Sequence, residues 1–237
     1  MLVAAAVCPC PPLLVPEVAA GAAPELDAAR AACTDALGVL AASRPDRLVV
    51  VGPAHSAGPE AYPRGAHGSF RGFGVDLEVY LGADSGDADG TELPYGLAVG
   101  AWLLGRTGWA GFPVDGIGVG DELSAERCAG LGREIAARAG RTALLVLGDA
   151  SACRTLKAPG YLDERAAPFD AEVGRALAAA DPAALAALDV ALARELKVSG
   201  RAPWQVLAGA AQGADLAGAL LYEDAPYGVG YAVAAWS

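Results

Sequence analysis

Three short apolar runs of the sequence each end in a turn that carries reactive side chains. The turn residues are Cys8 and Cys10 after the first run, His55 after the second, and Asp149, Ser151 and Cys153 after a later one. Because parallel strands place their carboxyl ends at one edge of a sheet, we expect these turns to converge. Thiolates favour softer metal ions such as zinc, whereas a set of histidines and carboxylates favours iron or manganese.

The same residues also have ordinary structural interpretations. Cys8-Pro9-Cys10 matches no recognised metal-ligand spacing, and a buried cysteine packs as a small apolar side chain. Asp149 follows a glycine and can accept hydrogen bonds from nearby backbone amides, and Glu223-Asp224 before a proline is common turn chemistry. His55, in a turn after Gly52-Pro53, suits a functional site and a plain loop equally well.

The elements around these turns predict an α/β fold in three layers. We expect a mostly parallel central sheet with helices on both faces and a C-terminal hairpin, formed by one domain over residues 1–237. The hydrophobic periodicity predicts strands at 3–7, 47–51, 75–80, 113–119, 142–147, 218–222 and 229–236. It predicts helices at 24–43, 94–106, 124–138, 169–179, 182–188, 191–198 and 203–212.

Composition and charge narrow the classes of function. The formal net charge of −11 argues against a nucleic-acid surface, which needs clustered Lys and Arg. No apolar run is long enough to predict a membrane span, and the five cysteines do not suggest a disulfide framework. We therefore expect a cytoplasmic protein with no nucleic-acid or membrane partner.

Several common site motifs are missing from the sequence. It contains no phosphate-binding Gly-x-x-x-x-Gly-Lys loop and no Gly-x-Ser-x-Gly nucleophile elbow. Asp84, Asp87 and Asp89 have a spacing that hints at calcium, but the glutamate of a calcium loop is absent.

Four motifs, in order and over nearly the whole chain, carry a family resemblance. They are Val-Cys-Pro-Cys-Pro-Pro-Leu-Leu-Val-Pro-Glu at 7–17, Gly-Pro-Ala-His at 52–55, Gly-Asp-Ala-Ser at 148–151 and Tyr-Glu-Asp-Ala-Pro-Tyr-Gly-Val-Gly-Tyr at 222–231. Together they resemble the subunit-B-like domain of class III extradiol ring-cleavage dioxygenases, and more distantly the Memo-like proteins. The chain is most similar to small uncharacterised actinobacterial members of that family.

The resemblance implies one α/β domain with a non-haem Fe(II) site that cleaves catechol-type rings. In the family, two histidines and a carboxylate hold the metal, and another histidine acts as acid and base. Here Cys10 stands at the first histidine ligand, His55 can match the second, and Glu223 would be the carboxylate. Ala152 stands at the acid/base position, where Asp149 is the nearest alternative.

We therefore expect a family member that has lost standard ring cleavage, because alanine transfers no proton and general acid/base help contributes about 10²–10⁴ in rate. One alternative is altered metal chemistry at Cys10, His55 and Glu223, with Cys153 nearby, using Fe(II) or zinc. Another is a non-catalytic binding or scaffold protein without a cofactor. It would present the 58–74 loop, whose cationic and aromatic residues are Arg64, His67, Phe70, Arg71 and Phe73.

The expected partners are a small aromatic molecule and a second copy of the chain in a homo-oligomer, most simply a dimer. The residues assigned to the substrate pocket or its loop are Arg64, His67, Arg71, Ser151, Cys153 and Tyr227.

Overall fold

The computed structural model describes residues 1–82, 92–109 and 112–237, and its centre is a sheet of seven strands in the order β3-β6-β2-β7-β1-β9-β8. Strands β6, β2, β7 and β1 are parallel neighbours, and β3, β9 and β8 add antiparallel pairs at the two sides. The strands are β1 Leu2–Cys8, β2 Arg47–Ala54, β3 Glu60–Tyr62, β6 Val114–Gly120, β7 Thr142–Leu147, β8 Gly218–Asp224 and β9 Tyr231–Trp236.

Helices cover both faces of the sheet. They are α1 Pro16–Ala19, α2 Asp27–Ala42, α3 Tyr95–Gly105, α4 Ala125–Ala137, α5 Ala166–Ala178, α6 Pro182–Ala186, α7 Val190–Glu195 and α8 Arg201–Ala210. The predicted α/β fold, with a largely parallel sheet and a C-terminal β8–β9 hairpin, is confirmed.

Alternation along β1 explains why there are two cores. Ala6 and Cys8 point to the core under α2 and α3, whereas Ala5 and Val7 point to the core under α4, α5 and α8. A strand buried on both faces has no polar side, so β1 is a continuous apolar run.

The registers of the parallel strands bring their carboxyl ends to one edge, which we call the carboxyl edge. Cys8 pairs with Leu147, and Ala54 pairs with Gly120. β9 is antiparallel to β1, so Tyr231 at its start lies at the same edge. The turns after β1, β2, β6 and β7 therefore share one end of the sheet.

Several predicted boundaries differ from those observed. The 52–74 segment contains β3, β4 His67–Ser69 and a 3₁₀ turn at Arg71–Phe73, and β4 forms a separate small sheet with β5 Glu78–Tyr80. α2 begins only at Asp27, because a 3₁₀ segment at Ala20–Leu26 precedes it. Glu223 and Asp224, predicted in a turn, belong to β8.

The predicted turn with Asp84, Asp87 and Asp89 lies outside the described residues. Within the described ranges, every helix is too short or too polar to cross a membrane.

Candidate active site at the carboxyl edge

The turn after β1 places Cys10 at the carboxyl edge. Proline has no N–H for the sheet ladder, and Pro11 has a φ of −66°, so the chain leaves the strand and enters a 3₁₀ turn at Pro12–Leu14. The Cys10 side chain is completely buried in the core under α2 and α3.

Asp149 links this turn to two other segments. The backbone N–H of Cys10 donates to Asp149 Oδ1 at 2.8 Å, and the backbone N–H of Asp149 donates to Ser199 Oγ at 2.9 Å. The N–H of Gly200, which precedes α8, donates to the carbonyl oxygen of Asp149 at 2.9 Å. The turn after β1 and the α7–α8 connection thus both bond to Asp149, the first through its carboxylate and the second through its backbone.

The electrostatics of this cluster favour protonated groups. Asp149 is half-buried, and the loss of water around its carboxyl raises the pKa to about 7, although the hydrogen bond from the Cys10 backbone lowers it. Burial and the charge of Asp149 raise the pKa of the Cys10 thiol well above its ordinary value, while Ser199 partly offsets this rise. Cys10 is therefore a thiol at neutral pH, which makes it a poor nucleophile.

Two tyrosines face the same cluster. Burial raises the pKa of Tyr95, at the start of α3, and the charges of Cys10 and Asp149 raise it further. Burial and the charge of Asp149 likewise raise the pKa of Tyr231, which is 3% exposed. Both phenols therefore stay neutral and are hydrogen-bond donors rather than phenolate bases.

A cavity of about 290 Å³ opens beside this cluster. His55, Tyr95 and Ser199 contribute to its wall, and the His55 and Tyr95 rings are 6.5 Å apart between centroids. Its remaining wall comes from the turn after β2, the turn after β6 and the α7–α8 connection, through Pro53, Ala54, Asp121, Ala193, Arg194, Lys197, Val198 and Arg201.

Arg201 is the buried cation of this wall, with 2% of its surface exposed. Its guanidinium donates to the carbonyl oxygens of Leu123, at 2.5 Å, and of Asp121, and to the side-chain oxygen of Gln205 at 3.1 Å. Burial lowers the pKa of Arg201. Among the described residues, no carboxylate lies within ion-pair distance of it, so its partners are neutral oxygens and the Cys128 sulfur at 3.9 Å.

Glu223, the candidate carboxylate ligand, lies away from Cys10. It pairs with Ala232, which belongs to the core under α4, α5 and α8, and its carboxylate lies directly against Gly174 of α5. Cys10 belongs to the opposite core. In a strand pair, residues on opposite faces of the sheet cannot converge on one ion.

The donor set implied for Fe(II) therefore does not fit this site. His55 is exposed at the cavity, Cys10 is a buried protonated thiol, and Glu223 is on the other face. Within the described ranges, no three His, Cys, Asp or Glu side chains are grouped so that they could hold a metal ion. The structure thus does not bring together the proposed ligands Cys10, His55 and Glu223.

The other residues of the Gly148–Cys153 turn have structural roles. Ser151 donates its hydroxyl to Asp170 Oδ2 at 2.8 Å and is completely buried. The Cys153 thiol lies 3.5 Å from the carbonyl oxygens of Gly160 and Leu196, away from the cavity. Ala152, at the predicted acid/base position, donates its backbone N–H to Leu196 and offers no titratable group.

The cationic and aromatic residues of the 58–74 segment are only partly available at the surface, where Phe73 is 44% exposed. Phe70 is a core residue with no exposed surface, and Arg71 forms ion pairs with Asp76 and Glu78, both at 2.8 Å. His67 Nε2 lies 3.1 Å from the Glu78 carboxylate. Arg64 is exposed beside Gly82.

Tyr227 lies in the β8–β9 turn and packs partly against the core under α2 and α3. Burial and the neighbouring Glu25 raise its pKa. It does not line the cavity beside His55.

Sequence reasoning missed Tyr95, Asp121, Lys197, Ser199 and Arg201. Asp121 directly follows β6, so the strand-end rule that selected His55 and Asp149 would also have selected it. The others carry no comparable signal, because they come from helix starts and an inter-helix connection that only tertiary packing brings to the carboxyl edge.

Comparison with known proteins gives a fold relationship and no family. No protein-family model matches the chain, and no curated protein matches it in sequence. A crystal structure of the uncharacterized protein JW3007 from Escherichia coli K12 has a similar fold, with a TM-score of 0.58 and 14% sequence identity. The match covers 99% of each chain, so the similarity extends over the whole fold.

Proposed function

We propose that this protein has the class III extradiol dioxygenase fold, has lost iron-dependent ring cleavage, and binds a small aromatic molecule in the cavity beside His55. The proposal rests on the four ordered motifs of the sequence and on the arrangement of the three candidate ligands. Function depends on the site rather than on the fold, so a retained fold is compatible with a lost reaction.

The observation that carries the loss of ring cleavage is the position of Glu223. An Fe(II) site for oxygen chemistry needs two histidines and a carboxylate on one face, with free positions for substrate and oxygen. Here His55 is the one histidine at the carboxyl edge, and Glu223 contacts α5 on the far face of the sheet. The proposal therefore rests on two departures from the family pattern, which are a cysteine at the position of a ligand histidine and a candidate carboxylate, Glu223, that contacts α5.

The cavity supports the binding part of the proposal. Its volume of about 290 Å³ is at the small end of ligand pockets, which suits a molecule with a single ring. The hydroxyls of Tyr95 and Ser199 offer neutral hydrogen-bond groups, and Pro53 and Val198 offer apolar contacts. Asp149, which bonds to Ser199 of the cavity wall, can hold or release a proton near neutral pH, because its pKa is about 7.

The test is a turnover assay under conditions that favour the family's reaction. Protein reconstituted with Fe(II) without oxygen is mixed with catechol-type substrates in air, and ring-cleavage products are followed by absorbance. We expect no turnover above the rate of free iron, and no stoichiometric metal in protein purified without added metal.

His67→Ala is the matched control for His55→Ala, because the two are the chain's histidines and His67 lies in the small β4–β5 sheet. Turnover that is abolished by H55A and preserved by H67A would refute the proposal. Stoichiometric metal without ring cleavage would instead favour altered metal chemistry.

The expected homodimer belongs to the same proposal and has its own measurement. Light scattering coupled to size-exclusion chromatography should give about twice the mass of one chain. A measured mass of a single chain would contradict the expected homodimer.

A further inference from the structure

The cavity beside His55 has an excess of positive charge in a protein whose net charge is −11. Arg194 lies at the rim and is neutralised by Glu122 at 3.1 Å. Arg201 and Lys197 remain, and Asp121 is the one carboxylate among the wall residues. An acidic protein that places two cations around one cavity, without an ion pair among the described residues and against a single carboxylate of the wall, has the electrostatics of an anion site.

Of the two cations, Arg201 gives the stronger evidence for an anion site. A buried charge is normally paired with an opposite charge, because its desolvation is costly. The guanidinium of Arg201 is held by neutral oxygens, and the Asp121 side chain is not within ion-pair distance of it. Arg201 is also the first residue of α8, where the helix dipole disfavours a positive charge. A bound anion would compensate both effects.

Lys197 adds a cation from a strained position. It has a φ of +58°, a left-handed conformation that favours glycine, and its side chain is exposed at the cavity. Among the described residues no carboxylate forms an ion pair with it. Ser199, two residues later, presents a hydroxyl to the same cavity.

We propose that the cavity binds its small aromatic ligand through a carboxylate group, which is placed between Arg201 and Lys197. This inference rests on the proposed function, since it names the chemical class of the molecule bound there. Guanidinium groups bind planar carboxylates by paired N–H donors, and the cavity is large enough for one ring beside the carboxylate.

Isothermal titration of the full chain, treated with chelator, tests the inference with benzoate and with benzamide, a neutral ligand of nearly the same shape. We expect benzoate to bind about tenfold more tightly, the size of one charge-assisted contact. Equal affinities for the two ligands, or no binding of either, would overturn the inference. Tighter binding of inorganic phosphate than of benzoate would overturn the carboxylate assignment.

Lys197→Gln is the main variant, and Lys157→Gln is its control, because Lys157 is the chain's other lysine, is exposed, and does not line the cavity. We expect K197Q to weaken benzoate about fivefold and to leave benzamide unchanged, with K157Q like the original protein. An equal loss of benzoate affinity in K197Q and K157Q would overturn the assignment of Lys197 to the site. Arg201→Gln is the secondary variant, interpreted only if circular dichroism shows a native fold.

The outcome is separable from that of the proposed function, because titration needs no iron and no turnover. Iron-dependent ring cleavage with a tenfold preference for benzoate would reject the loss of ring cleavage and keep the carboxylate-binding cavity. Absence of cleavage with equal binding of benzoate and benzamide would do the reverse.

Discussion

The turn after β7 contains one carboxylate, Asp149, and is contacted by a second, Asp170 of α5. The surroundings of the two carboxylates differ completely. Asp170, on α5, is 4% exposed and accepts from the backbone N–H and hydroxyl of Ser151 and from Arg154 at 3.0 Å. Asp149 lies two residues before Ser151, on the cavity side, and has one backbone donor from Cys10 and no cation in contact among the described residues.

This contrast indicates that Asp170 has a structural role and that Asp149 is a candidate for chemistry. The buried Asp170 carboxylate accepts from two groups of Ser151 and pairs with Arg154, and it thereby holds α5 against the turn. A buried carboxylate without a cation has a raised pKa, and such groups are concentrated at functional sites. Asp149, and not the more fully bonded Asp170, is therefore the group to associate with the cavity.

The largest expected effect is that of Asp170→Asn. The variant keeps the shape of the side chain but removes the charge that Arg154 and Ser151 require, so we expect a loss of about 3 kcal/mol in the free energy of unfolding. Urea denaturation at pH 8 measures it. Unchanged stability would mean that the Asp170 network does not hold α5 to the turn.

The same substitution at the other carboxylate should act in the opposite direction. In Asp149→Asn the amide oxygen can still accept from the Cys10 backbone, and the cost of a buried charge disappears. We expect a gain of about 2 kcal/mol in the free energy of unfolding at pH 8. Asp215→Asn, at an exposed position, is the control and should change stability by less than about 0.5 kcal/mol. If D149N and D170N both destabilise, the contrast between the two carboxylates is wrong.

The gain from D149N should also depend on pH. The pKa of Asp149 is about 7 when folded against 3.8 ordinarily, so the folded protein holds one more proton between these values. Unfolding then releases a proton, and stability falls as the pH rises from about 4 to about 7. The difference between D149N and the original protein should therefore vanish near pH 4 and reach its maximum above pH 7. A difference that grows towards low pH would show that the sign is wrong.

The smallest expected effect is that of Arg71→Gln, outside both carboxylate networks. Arg71 forms its ion pairs at the surface with its own side chain 65% exposed, and exposed pairs contribute little. We expect a change below about 0.5 kcal/mol in urea denaturation. A loss as large as that in D170N would remove the distinction between exposed and buried ion pairs.

The sequence predicted the α/β sheet well, and it predicted that the residues at the strand ends come together at one edge. Strand β7 and helices α3 and α4 were found to within a residue or two, because long apolar periodicity depends on local pattern alone. The strand-end rule placed His55 and Asp149 at one edge. The residue type alone shows that Ala152 cannot act as acid or base at the position that the family resemblance assigns to a histidine.

Which candidate residues lie on the same face of the sheet and line the same cavity depends on the tertiary structure. Cys10 and Glu223 lie at the same edge but on opposite faces of the sheet, and the face of a strand residue depends on register, which a shift of one residue reverses. Tyr95, Ser199 and Arg201 reach the cavity from helix starts far along the chain, through packing that no local pattern records. Local pattern is thus enough to place the strand ends and their candidate residues at one edge, whereas register and packing set which of these side chains face one another.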